Sequence, residues 1–466
     1  MDTIGVEADM VPNSVDPAEL VAALPPGVVL TAPDAVEKYR NDWSKARGAG
    51  TPVAVVRAHQ AGHVCEAVRW AARHGVPVVP RGAGSGLSGG SSAVDGGIVV
   101  SLERMGAIEI DTASQVAVVE PGAFTSEVKA AAAAHGLWYP PDPSSYEICS
   151  IGGNVATNAG GLCCVKYGVT SDYVLGLDVV LADGTLITLG GKRIKDVAGL
   201  SLVKLFVGSE GTLGIVTRAL LRLVPAQLPR ATMVATFSDV DTAARAVVAI
   251  RGRLRPSMLE LMDNASINAV EDFRPMALDR AAGALLVTQS DAPAAARSIE
   301  VDAMREECER AGATEVFQTD DPDEGDMFVE ARRLAFPAIE ARGSLLLEDV
   351  GVPVPLLPDL LARVAEVAEE LGVEIPVVAH AGDGNTHPII VYDPGVAEAE
   401  ERAYAAFDRI MACAIALGGT ITGEHGVGRT KKAALPDQLG PDVMAVTRRI
   451  KDALDPQGIL NPGAVM

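Results

Sequence analysis

The stretch "PRGAGSGLSGGSSAVDGGIVVSL", residues 80–102, decides how the first half of the chain is read. Gly84, Gly86 and Gly89 make a formal G-x-G-x-x-G after a strand-like run, the spacing of a dinucleotide-binding turn. That turn works by opening a helix whose N-terminus receives the pyrophosphate, whereas here serines, glycines and a β-branched strand follow. The predicted element is therefore a glycine-rich loop between two strands, whose successive backbone N–H groups can approach phosphate oxygens closely. A series of tight β-turns is the alternative.

Working outward, residues 52–82 ("PVAVVRAHQAGHVCEAVRWAARHGVPVVPRG") read as strand, helix and strand. Downstream, short apolar runs alternate with two more small-residue blocks, "YPPDPSSYEICSIGGNVATNAGG" (139–161) and "KLFVGSEGTLGIVT" (204–217). One glycine loop is weak evidence, but three in one domain, separated by strands, point to a long cofactor laid against backbone. A strand-helix rhythm resumes after "VPAQLPR", which places a boundary near residue 226 and a second α/β domain beyond it. The segments 397–419 and 446–466 each contain a helix, the first with a glycine stop. The expected organisation is an N-terminal arm with some helix (1–50), a cofactor domain (51–226), a substrate or cap domain (227–410) and a C-terminal segment (411–466).

At 466 residues and 48% hydrophobic content, with no unbroken apolar run near twenty, the chain predicts no membrane span. Its acidic opening does not read as a signal peptide, so a cytoplasmic protein is expected, at most peripheral at a membrane. Six cysteines without a C-x-x-C predict thiols rather than a cluster or a disulfide framework. A net charge of -22 disfavours nucleic acid as a partner.

Three of the seven histidines fall in two C-terminal motifs, "HAGDGNTHP" (380–388) and "TGEHGVGR" (422–429). His380 and His387 flank a glycine turn that can fold two imidazoles towards one point, and a carboxylate from a distant loop would complete three ligands. Such a set suits Zn²⁺, and also Mn²⁺ or Fe²⁺, with an open catalytic position. For either motif alone, a buried strand end, a core imidazole and a turn-capping glutamate are the simpler account. His59 and His63, spaced i, i+4, read as surface residues at a helix start.

Taken in order, "PVVPRGAGSGLSGG", "VEPG", "YPPDPSS", "IGGNVATNAGG", "KYGVT", "LFVGSEGTLGIVT", "HAGDGNTHP", "TGEHGVGR" and "LNPG" resemble the FAD-linked oxidoreductases of the vanillyl-alcohol oxidase / p-cresol methylhydroxylase superfamily. The branch most similar holds D-lactate dehydrogenase, the glycolate oxidase FAD subunit and D-2-hydroxyglutarate dehydrogenase. The resemblance covers the chain from about residue 40 to the C-terminus. It implies an α+β fold: a PCMH-type FAD-binding domain of two α+β subdomains, an α/β cap with an antiparallel sheet, and a C-terminal helical segment returning to the FAD domain.

By that resemblance, FAD lies on Pro80, Arg81, Gly82, Ala83, Gly84, Ser85, Gly86 and Ser88, with Pro121 and Gly122. Pro141, Asp142, Ser144, Ser145, Gly152, Gly153, Asn154, Thr157, Asn158, Gly161 and Gly168 belong to the second block. Glu210, Gly211, Gly214, Ile215 and Asn461 complete the set. The first loop has no histidine, so the FAD is expected to be non-covalent. The resemblance further implies His380, His387 and Glu424 as ligands of a divalent metal, Zn²⁺ being the expected ion, and His425 as catalytic base. In that chemistry His425 takes the hydroxyl proton of a D-2-hydroxy acid while hydride passes to flavin N5, giving the 2-oxo acid.

By the same resemblance, Arg332 in "FVEARRLAF" is the candidate for the substrate carboxylate, whose geometry the planar guanidinium suits, with Asn385 and His425 as further substrate contacts. Val329 and Phe336 depart from the branch pattern, as do Leu347 and Glu348 in "LLLEDVGVP", where a lysine is usual. An acid there would disfavour a second carboxylate, so lactate, glycolate or a longer apolar analogue is expected rather than 2-hydroxyglutarate. Electrons need an external acceptor: electron-transfer flavoprotein, quinone or an iron–sulfur partner. A homodimer is compatible with the sequence. The alternatives are an FAD-carrying subunit of a glycolate-oxidase-like complex, or a superfamily lyase or synthase.

Overall fold

Three β-branched runs, Ala54–Arg57, Ile98–Ser101 and Val78–Arg81, align in parallel with Ile98–Ser101 between the other two. This computed structural model describes residues 15–45 and 47–466, so residues 1–14 of the expected N-terminal arm, and residue 46, lie outside the described residues. The helix Ala61–His74 makes the crossover that parallel neighbours require, burying Val64, Val68, Trp70 and Ala71 on the sheet. The chain from Gly82 to Gly97 forms no helix, as the loop reading requires.

The arm is more than a tether. Val29–Leu30 pairs antiparallel with Ala54–Arg57, and Leu20, Leu24 and Val28 join the core around Trp70. His63 also differs from its surface reading. It is buried, and its Nδ1 accepts the His59 backbone N–H at 3.3 Å, so the i, i+4 pair closes the first turn of a helix.

The second half of the FAD domain is a five-stranded antiparallel sheet in the order Ile108–Asp111, Val116–Val119, Ile215–Arg222, Val174–Val180, Leu186–Gly190. The cap is a larger antiparallel sheet that begins at Ala231–Phe237. Its strands alternate between two apolar faces, as a sheet covered on both sides must. Met233, Ala235, Phe237, Leu259 and Leu261 pack with the helices Val240–Arg253, Ala294–Ala311, Leu357–Leu371 and Ala399–Ala416. Val234, Met258 and Met262 pack with Asn264–Phe273 and Pro322–Glu340. Ala399–Ala416 runs through residue 410, so the chain leaves the cap only after that helix. The helix Leu435–Leu454, broken at Gly440, then returns it to the first sheet, where Val78 donates its N–H to Ile459 and accepts that of Asn461, both at 2.8 Å.

All six cysteines are free thiols. Among the described residues no helix is long and apolar enough to cross a membrane.

One buried charge pair ties the returning segment to the cap. Lys431, 1% exposed, places Nζ 2.8 Å from Glu348 Oε2 and donates to the Ile421 carbonyl at 2.8 Å. Lys431→Met strands the Glu348 carboxylate, and we expect a loss of about 3–5 kcal/mol of stability by urea unfolding. The double variant Lys431→Met/Glu348→Leu should recover most of it, because the pair then leaves no uncompensated charge.

Candidate active site

A cavity of ≈ 920 Å³ lies between the two domains. One wall is backbone and small side chains: Pro80 to Gly86, Ser144, Ser145, Gly152, Gly153, Asn154, Thr157, Glu210, Gly211, Gly214 and Ile215. All three glycine blocks thus meet at one surface. Close packing explains the glycines; a Cβ on Gly82 would stand 2.3 Å from Ser150 Oγ, the atom that accepts the Ala83 N–H and joins the first loop to the second block.

The remaining residues expected to touch FAD stand behind this wall. Ser88 donates its hydroxyl to the His425 carbonyl, and its own carbonyl accepts the Arg429 N–H. Pro121 accepts the Gly152 N–H, while Gly122 donates to Met105. Asp142 holds the Cys163 N–H at 3.0 Å, and Asn158 that of Ser171 at 2.8 Å. Pro141, Gly161 and Gly168 do not line the cavity either. Asn461 Nδ2 donates to the carbonyls of Gly90 and Glu210. Glu210 lines the cavity and also accepts the N–H groups of Val427 and Gly428 at 2.7 and 2.8 Å. Sequence reading missed Asp42 and Trp43 of the arm, which line the cavity too.

The opposite wall comes from the cap and the returning segment: Arg332, Arg333, Phe336, Leu347, Val378, Ile389, His387, Glu424 and His425. Strand pairing brings the two predicted imidazoles together. His380 ends Val377–His380, its neighbour Asn385–Tyr392 carries His387, and the glycine turn between them does what its spacing suggested. His380 Nε2 and His387 Nε2 stand 3.1 and 3.3 Å from the same oxygen, Glu424 Oε1. The outer nitrogens are spoken for: His380 Nδ1 is 2.9 Å from both oxygens of Glu260, and His387 Nδ1 faces the Glu348 carbonyl at 3.3 Å.

Two Nε2 atoms and one carboxylate oxygen converging in this way, each imidazole backed on its far side, fit a divalent cation. Burial opposes the charge on His380, but Glu260 and Glu424 outweigh it and raise its pKa well above the usual range. Glu424 is held low by His380 and His387 despite its burial. His425 stacks on His387 with centroids 4.9 Å apart, and its Nδ1 is buried without a hydrogen bond, 4.0 Å from Asp349 Oδ2. Burial pushes its pKa down to about 4, so it is neutral and able to accept a proton.

Two carboxylates that the sequence did not single out organise this wall. Glu260, whose signal is an acid inside the apolar run "MLELMD", pairs with Arg332 Nε at 3.0 Å as well as with His380. Asp349 accepts the N–H groups of Gly423, Glu424 and His425 at 2.8–3.0 Å and the Thr422 hydroxyl, so one buried oxygen fixes the whole "TGEH" turn. Glu348 corrects an expectation: it points to Lys431 and does not line the cavity, whereas Leu347 does. Asn385 lines a second cavity, not this one.

Comparison with known proteins agrees with this architecture. Residues 52–190 match the FAD binding domain model, and residues 227–465 match the C-terminal domain of FAD linked oxidases. The glycolate oxidase subunit GlcD of Bacillus subtilis is 40% identical over 415 residues, 88% of each chain. The D-lactate dehydrogenase of Archaeoglobus fulgidus is 35% identical over 418 residues, covering 88% of this chain and 91% of its own. Among solved structures, p-cresol methylhydroxylase with substrate bound superposes with a TM-score of 0.81 at 18% identity, over 96% of this chain and 95% of the other, a likeness of fold.

Glycine loops that present backbone to a dinucleotide, closed by a cap that brings imidazoles and carboxylates to the same cavity, define an FAD-dependent oxidoreductase. The chain belongs to the FAD-linked oxidase family, among the relatives of glycolate oxidase subunits and D-lactate dehydrogenases.

Proposed function

We propose that the chain oxidises a D-2-hydroxy acid, namely D-lactate, glycolate or a longer apolar analogue, to the 2-oxo acid with non-covalent FAD and a divalent metal. The observation that carries this reading is the convergence of His380, His387 and Glu424 at one point, where His387 and Glu424 line the FAD cavity and His380 stands behind them. The names of the relatives, glycolate oxidase subunit and D-lactate dehydrogenase, support the substrate class and its configuration.

When bound, FAD supplies the hydride acceptor and the metal a Lewis acid. The chain's own residues do the rest. His425, neutral and lining the cavity, takes the hydroxyl proton. Arg332 offers a guanidinium to the substrate carboxylate, oriented by its pairing with Glu260. Leu347, Phe336, Val378 and Ile389 give the cavity an apolar wall that favours a short hydrocarbon tail and excludes water. Electrons then pass to an external acceptor.

The test is anaerobic: bleaching of the oxidised-flavin absorbance by a panel of D- and L-2-hydroxy acids, before and after chelation. Bleaching by a D-acid that is lost on chelation is the expected result; flavin reduced equally well after chelation overturns the metal's role. A second reading, an FAD-carrying subunit that turns over only in a complex, is favoured by the word "subunit" in the name of the Bacillus relative, and gains if no acid reduces the flavin.

A further inference from the structure

Glu424 is reached from two sides. The large cavity reaches it beside His387 and His425; a second cavity of ≈ 480 Å³ reaches it beside His380, and Glu424 is the one residue common to the two linings. Because the linings share only Glu424, a cofactor can occupy the first without touching the other residues of the second. Oxygen and nitrogen donors line the second: Asp383, Asn385, His380 and Glu424. Asp383 is exposed, and its Oδ1 accepts the Asn385 N–H at 3.2 Å. Asn385 Oδ1 is buried without a hydrogen-bond partner, and buried His380 and part-buried Glu424 line the same cavity. The wall stays clear at Gly160, where a Cβ would stand 2.8 Å from Glu424 Oε2, so a larger side chain would crowd the inner end.

A doubly charged ion leaving water needs such donors along its path, because an unpaired charge in a protein interior is costly. We propose that the second cavity is the port through which the divalent cation enters and leaves, with Asp383 as its outermost carboxylate. The inference rests on the metal reading above, and it assigns the cation a route separate from that of FAD and substrate.

The experiment measures metal kinetics in FAD-loaded protein stripped by a chelator. Zn²⁺ uptake is followed with a chromophoric zinc indicator in a stopped-flow instrument, and loss by transfer to excess chelator. Val169→Trp puts a bulky side chain into the lining and should slow uptake and loss in the same proportion, leaving equilibrium zinc content unchanged. Asp383→Asn keeps the acceptor for the Asn385 N–H but removes the charge. It should slow uptake by about 10-fold at low ionic strength and by less in high salt, and it carries the test if Val169→Trp does not fold.

Wild-type kinetics in both variants with FAD in place overturn the port, as does uptake that begins only once FAD is removed. So does a loaded Val169→Trp protein with normal metal kinetics but slow reduction by a hydroxy acid, since the cavity would then serve the substrate. If the wild type holds no zinc at equilibrium, the metal reading itself falls and the port with it.

Discussion

His425→Ala lowers the rate at which a D-2-hydroxy acid reduces the bound flavin by about 10²–10⁴-fold, the usual contribution of a positioned general base. The loss is confined to chemistry because the backbone at this position is held independently of the imidazole. The His425 N–H donates to Asp349 at 2.8 Å and its carbonyl accepts the Ser88 hydroxyl at 3.1 Å. FAD content and thermal midpoint should therefore stay at wild-type values. In the wild type, a base must be unprotonated to act, and burial has moved this imidazole down to about 4. Reduction should hold from neutrality to well below the ordinary histidine range and fail only as the pH drops through that value. The alanine variant should lack this limb. Anaerobic stopped-flow traces of flavin absorbance from about pH 3 to 8 read both effects, and an unchanged rate in the variant would remove His425 from the chemistry.

Glu424→Gln should weaken divalent metal binding by more than about 100-fold, beyond the cost of losing an outer-shell partner. Its Oε1 is the point on which both Nε2 atoms converge, and the amide removes the negative charge from a three-ligand set. Equilibrium dialysis against buffered Zn²⁺ measures the change, and binding within a few-fold of wild type would dismiss this carboxylate as a ligand. The same cluster dictates a pH dependence. Without metal, the raised pKa of His380 keeps a proton between Glu260 and Glu424, and a ligand nitrogen must shed it. Apparent affinity should rise with pH until that proton is gone, and calorimetric titrations in buffers of different ionisation enthalpy should show proton release.

The glycine loops were legible because their chemistry is local. A run that follows one strand and leads into another, with no helix to receive a phosphate, excludes a Rossmann turn from residue order alone. The approach of His380 to His387 was legible for a similar reason, since two of only seven histidines flank one glycine turn. Glu260 was not, since it meets His380 across 120 residues and only strand pairing in the cap brings the two together. Glu348 was misjudged because facing alternates residue by residue along an extended chain: Leu347 lines the cavity, and one step on the carboxylate points away to Lys431. The arm's share in the cavity was hidden likewise. Trp43 lines the cavity because contacts far along the chain hold it there: its N–H donates to the Gly84 carbonyl at 3.1 Å, its Nε1 reaches Glu340 at 3.2 Å and its ring meets Phe336 edge-on.

The bond from Asn461 Nδ2 to the Gly90 carbonyl spans 371 positions of the chain. A ribosome delivers residues in order, so the first glycine loop emerges long before the asparagine that braces it, and Glu210 likewise waits for Val427 and Gly428. The cofactor's seat is thus finished only once residue 461 has been added, not by the first half of the chain alone. A nascent chain that has not reached Asn461 lacks a complete place to hold flavin, and loading becomes a check that synthesis has passed that residue.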